Sequence, residues 1–205
     1  QFLSLPWVHW PETMATWIPE DRILFPCDLF GSHLATSDLY ADDQARVLRA
    51  AKTYYAQIMM PFRPLVRKHL QRLSALDIAV IAPSHGPVHR RPELILQAYR
   101  DWTNDQVANT VTLPYVSMHG SVRAMVDHVT EALIAKGVSV FPFNLTGGDT
   151  GTLAVSLVDA ATVVIGTPTV LGGPHPAAIS AVTLLNALRP KTRFVSVIGS
   201  YCWAG

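Results

Sequence analysis

Residues 110–125, TVTLPYVSMHGSVRAM, constrain the fold more than any other stretch of this 205-residue chain. Residues 110–116 form an extended, β-rich run. It stops at a small polar loop, Ser117-Met118-His119-Gly120-Ser121, and a helical pattern starts at once. Val122, Met125, Val126, Val129 and Leu133 recur at i, i+3, i+4, i+7 and i+11, one face of a 3.6-residue period. The alternation then continues. Strands are predicted at 110–116, 138–143, 162–166 and 193–199, and helices at 121–136, 151–158 and 174–188. Strands that alternate with helices dictate a parallel, doubly wound sheet.

Residues 1–104 read differently. An aromatic and Pro-rich opening at 5–19 precedes a short strand at 22–26. A helix is predicted over 42–60, ended by Pro61 and Pro64, and a second over 65–73. A short apolar strand at 78–82 runs into Pro83-Ser84-His85-Gly86-Pro87, and a last helix spans 92–102 with Pro92 at its first position. Asn104, Asp105, Gln106 and Asn109 make a polar break, so two domains are expected, 1–104 and 105–205.

The formal net charge of +1 points away from nucleic acid and from an anionic membrane surface. The most apolar region, 153–173, is interrupted by Asp159 and Pro168 and reads as buried α/β structure, not as a membrane span. Residues 1–10 lack the charged start and long apolar run of a signal peptide, and no initiator Met opens the chain, which is expected to begin inside a longer protein. Cys27 and Cys202 make neither a disulfide framework nor a C-x-x-C motif, which suits a reducing cytoplasm.

In a doubly wound sheet, ligands bind beyond the carboxyl ends of the strands. Three such ends carry loop chemistry here. The first, Ser117, Met118, His119, Gly120 and Ser121, sets hydroxyls and backbone N–H groups at a helix N-terminus, an arrangement that suits a phosphate; its ordinary alternative is a βα loop capped by Ser121. The second contains Thr167, Pro168, Thr169, Val170, Leu171, Gly172 and Gly173. The third contains Ser200, Tyr201, Cys202 and Trp203, whose aromatic rings suit stacking on a flat ligand. In the first half, His9, Asp28 and His85 are metal-ligand candidates in turn-like contexts. His and carboxylate donors suit iron, manganese or zinc. A capped turn at His9 and an Asx turn at Asp28 are the ordinary alternatives.

The second half resembles a flavodoxin-like domain through its Ser-Met-His-Gly-Ser, Gly-Thr-Pro-Thr and Gly-Ser-Tyr-Cys-Trp loops, and that resemblance implies FMN. The order HWPETM, FPCDLFGSH, APSHGPV, polar break and flavin loops resembles the flavodiiron proteins. These fuse a metallo-β-lactamase-like αββα domain, carrying a non-haem diiron centre, to a flavodoxin-like domain. The resemblance implies that His9 and His85 are terminal iron ligands and Asp28 a bridging carboxylate. His33, five residues after Asp28, is read as a catalytic pocket group that delivers a proton. The family's upstream His-x-Glu-x-Asp-His motif is absent from these 205 residues, so an internal piece or one chain of a split protein is expected, silent by itself.

The activity implied is reduction of O2 to water or of NO to N2O. Electrons would come from a partner such as rubredoxin or a flavin reductase. A head-to-tail homodimer or tetramer is also implied. Two other functions compete: an FMN electron carrier on a non-catalytic scaffold, and a zinc hydrolase of the metallo-β-lactamase type.

Overall fold

Val, Thr, Leu and Tyr fill β5 (Ala108–Tyr115), which is buried continuously from Val111 onward. A strand apolar on both faces belongs in the middle of a parallel sheet. The computed structural model, which describes residues 1–201, puts it there. The chain folds as two compact units, Gln1–Asn104 and Asp105–Gly205.

In the first unit, β1 (Phe2–Ser4), β2 (Met14–Ile18) and β3 (Ile23–Phe25) pair antiparallel in that order. β2 lies inside the segment predicted only as a Pro-rich opening, and β1 lies just before it, where no element is predicted. Both strands are short, and Phe2 and Met14 are exposed, so no alternating apolar face marks them. α1 (Gln44–Tyr54) is capped by Asp43, whose carboxylate accepts from the Arg46 N–H.

The predicted break at Pro61 and Pro64 is a correction. The backbone stays helical through a π turn (Tyr55–Met59) and a 3-10 turn (Met60–Phe62) into α2 (Arg63–Leu73). Each proline sits in the first turn of a new helical segment, where its missing N–H has no intrahelical partner to lose. β4 (Val80–Ile81) then pairs parallel to β3, and α3 (Pro92–Thr103) follows. Tyr54, Tyr55, Tyr99 and Phe30 are fully buried. The Tyr55 hydroxyl donates to the Trp102 carbonyl at 3.3 Å, tying the π turn to α3.

In the second unit, α4 (Ser121–Ile134), β6 (Ser139–Asn144), α5 (Thr150–Leu157), β7 (Ala160–Val170), β8 (Gly173–Pro174), α6 (Pro176–Leu188) and β9 (Phe194–Ser200) follow β5. β6, β5, β7 and β9 lie side by side and run parallel. Val111, Leu113 and Tyr115 of β5 pack on Val122 and Val126 of α4 and on Val164 of β7. At roughly 1.5–3 kcal/mol per fully buried side chain, this cluster fixes the βα unit predicted from residues 110–125.

His69 of α2 is buried, and its Nε2 lies 3.1 Å from the Pro6 carbonyl. Burial holds the imidazole below its ordinary pKa. The hydrogen bond to Pro6 works against that shift, and the positive charges of Arg72 and Lys68 add to it. His69 is therefore neutral when folded, while the unfolded chain takes up its proton near pH 6.5. Its contribution is fully present above that pH and declines as pH falls from about 6.5 toward the lower folded value. Urea midpoints measured from pH 7.5 to 5 are expected to fall, and His69→Gln is expected to flatten that slope.

Candidate functional site

Three loops of the first unit meet at one edge of its sheet. The β1–β2 turn carries His9, and β2 starts beside the end of β3. β3 and β4 are parallel, pairing Ile23 with Val80 and Leu24 with Ile81, so the turns that follow them emerge together. Those turns are stitched by backbone. The Ser84 N–H donates to the Cys27 carbonyl at 2.8 Å, and the Ser32 N–H donates to the His85 carbonyl at 3.1 Å. Glycine is required at Gly86, with φ +81°, because a Cβ would meet Ser32 Oγ at 2.3 Å.

This edge brings together the three residues expected as metal ligands. His9 Nε2 lies 3.3 Å from Asp28 Oδ2, and His85 Nε2 lies 3.3 Å from Asp28 Oδ1. Each imidazole faces a different carboxylate oxygen. Two atoms bound about 2.1 Å from one ion at a right angle stand ~3 Å apart. The observed spacing, 3.3 Å on each side of Asp28, is close to that of neighbouring ligands of a metal ion. Among the described residues, no group of three or more His, Cys, Asp and Glu is arranged to hold a single metal ion by itself.

Asp28 is buried, whereas half of the His85 side chain is exposed. His33 is exposed, and its ring stands edge-on to Tyr54 at 4.8 Å and to His85 at 5.8 Å between centroids. Tyr54 is 1% exposed. Its burial pushes the phenol above its ordinary pKa, and the nearby Asp28 and Cys27 push it further the same way. Tyr54 therefore stays protonated beside the triad. It was absent from the expected site because its place on α1 marks it only as core.

In the second unit, β5, β7 and β9 end on one sheet edge, as parallel strands must. Met118, His119 and Ser121 from the first loop, Pro168, Thr169, Val170, Leu171 and Gly172 from the second, and Ser200 and Tyr201 from the third line a cavity of about 430 Å3. Thr167 and Gly173 line a second cavity of about 410 Å3, which shares Pro168, Thr169, Gly172, Ser200 and Tyr201 with the first. Cys202 and Trp203 lie outside the described residues.

The helix cap differs from the expectation. Gly120, with φ +90°, is the N-cap of α4 and Ser121 is the first helical residue. Gly120 has no side chain to cap the Ser121 and Val122 N–H groups, which suits an anion at that end of α4. Ser117 Oγ accepts from the Arg123 N–H at 3.2 Å, and the Ser121 and Ser200 hydroxyls are 2.9 Å apart. The second loop is an extension of β7 that doubles back as β8. Leu171 and Gly172 both have positive φ at its two-residue turn, the geometry that matches strand twist. The chemistry of these groups suits a flat, phosphorylated ligand.

A family model described as "ODP family beta lactamase" matches residues 1–86. The chain is 34% identical to the nitric oxide reductase of Moorella thermoacetica over all of its length and 52% of that protein. It is 33% identical to the coenzyme F420H(2) oxidase of Methanothermobacter marburgensis, over 97% of the chain and 52% of that protein. Rubredoxin oxygen:oxidoreductase from Desulfovibrio gigas superposes with a TM-score of 0.95 at 26% identity, covering 100% of this chain and 53% of that one. The flavodiiron protein of Giardia intestinalis superposes at 0.93 and 28% identity, covering 100% and 52%. The chain belongs to the flavodiiron protein family. It spans about half the length of the relatives it matches. Its fold is the partial metallo-β-lactamase-like domain and flavodoxin-like sheet expected of a flavodiiron chain. No helix among the described residues is long and apolar enough to cross a membrane.

Proposed function

We propose that this chain contributes one set of iron ligands and the FMN site to a flavodiiron oxidoreductase that reduces O2 to water or NO to N2O. The observation that carries the reading is the division of Asp28 between His9 and His85, with one oxygen 3.3 Å from each Nε2. In this reading His9, Asp28 and His85 would hold iron, with Asp28 supplying the negative charge. When bound, FMN and the iron pair supply the electron transfer and the reduction itself.

The protein's own residues supply geometry and protons. His33, exposed and in ring contact with His85 and Tyr54, carries protons from solvent. Tyr54, held protonated, keeps its ring against His33 and His85. Ser121, the N-terminus of α4 and the turn at Leu171 and Gly172 hold FMN in the 430 Å3 cavity. A redox partner such as rubredoxin or a flavin reductase supplies electrons, a head-to-tail dimer or tetramer is the working assembly, and the cytoplasm is the compartment. The names of the relatives, a nitric oxide reductase and a rubredoxin oxygen:oxidoreductase, support both substrates and a rubredoxin-type donor.

Titrating FMN and following the quenching of flavin fluorescence tests the flavin half. Saturable binding well below millimolar is expected; none below about 1 mM, roughly −4 kcal/mol, would remove this half of the reading. Ser121→Asp is expected to weaken binding about 100-fold or more, about 2.7 kcal/mol, because it opposes a carboxylate to the phosphate. A carboxylate in the first turn of α4 also favours the helix dipole, so the loss is not one of folding.

A further inference from the structure

His89 belongs to none of the site residues above, yet it is 3% exposed and its Nε2 lies 3.2 Å from the Phe30 carbonyl. The two residues are 59 positions apart. Each end of this contact is anchored separately. The His89 N–H donates to the Ile81 carbonyl at 2.8 Å, and the Ile81 N–H returns a bond to the His89 carbonyl at 3.0 Å. His89 is therefore fixed to β4. Phe30 is two residues past Asp28, with φ +71°, a left-handed conformation that a bulky residue adopts only when its surroundings impose it. The buried Phe30 ring stands edge-on to Tyr99 at 4.9 Å between centroids.

We propose that His89 is a positioning residue. Its neutral Nε2–H spans from β4 to the turn after β3 and fixes the left-handed carbonyl that sets the direction of the Asp28 carboxylate. The carbonyl can only accept, so Nε2 must carry the hydrogen. Burial, which lowers the His89 pKa, keeps the ring in that neutral form. Packing alone does not account for the contact, because a buried apolar residue would fill the same space without reaching the carbonyl. The consequence for metal binding rests on the iron-ligand reading of Asp28; the consequence for the turn does not.

The test compares the 205-residue chain with His89→Gln and His89→Leu. Gln carries an amide N–H where Nε2 stands; Leu carries none. Without metal, amide exchange by NMR is expected to speed up about tenfold or more at Ser32 and Ser84, the two stitched turns, in His89→Leu. Amides of β5 should keep their rates, and His89→Gln should restore Ser32 and Ser84 to within about threefold. If His89→Leu does not fold, the Gln variant decides: protection like that of the natural chain supports the role, and loss of protection in a folded Gln variant overturns it. Unchanged exchange in a folded Leu variant also overturns it. With cobalt(II), the ligand-field absorption is expected to need about tenfold more metal in His89→Leu, within the range seen for groups that orient ligands. No cobalt signal in the natural chain would sink the metal reading and leave the exchange result to judge His89.

Discussion

Asp28→Asn is expected to abolish metal loading of the first unit while leaving its fold in place. Asp28 supplies the one negative charge of the three candidate ligands, and both imidazoles face its carboxylate at 3.3 Å. Asn keeps the shape and an acceptor oxygen, but not the charge or the second strong donor atom. Groups that merely orient ligands change affinity by about 10–100-fold, so loss of this shared ligand should exceed ~100-fold. The readout is thermal unfolding with and without ferrous iron or zinc. A metal present at about 100 times its Kd adds about 2.7 kcal/mol, worth roughly 10 °C or more in a unit of this size. The natural chain should show that rise, and Asp28→Asn should show almost none. His33→Ala should keep the rise, because His33 contacts the triad only through ring edges. Equal metal-induced shifts in natural chain and Asp28→Asn would mean that the metal sits elsewhere.

How much of this was legible in the sequence follows from how local each signal is. The βα alternation of residues 110–199 rests on apolar periodicity between neighbours, and each predicted strand and helix there overlaps an observed one. The β1–β2 hairpin was not readable, because its strands are three and five residues long and partly exposed. Pro61 and Pro64 misled because a proline starts a helical turn as readily as it ends one, and only the backbone before it decides. The strand predicted at 162–166 ends too early, because β7 runs on through Val170 and returns after Leu171 and Gly172. A leucine with φ +51° at a hairpin turn gives no sequence warning, since Asn or Gly is the usual choice there.

The site divides in the same way. His9, Asp28 and His85 each sit in a turn after or between short strands, and the resemblance put them in order. Strand pairing is what brings their loops to one edge, and that is a long-range fact. Tyr54 and His89 have no local signature at all. One is a helix residue that looks like core. The other is a histidine beside a two-residue strand, and its meaning depends on a carbonyl 59 positions away. The ordinary alternative, a cap at Ser121, gives way when the backbone is seen. Ser117 bonds the Arg123 amide, and Gly120 occupies the cap.

The central claim is that His9, Asp28 and His85 form half of a two-metal site. The most direct measurement is iron content and substrate consumption by the 205-residue chain, supplied with FMN, ferrous iron and a reductant. The assay is run with and without a separate segment that carries a His-x-Glu-x-Asp-His motif. Three ligands leave each of two ions short of donors, so the chain by itself is expected to consume little or no O2 or NO. Adding the segment is expected to raise iron to about two per chain, the stoichiometry of a two-metal site, together with turnover. Robust iron-dependent turnover by the 205 residues alone, or two irons retained after Asp28→Asn in the complemented protein, would contradict it.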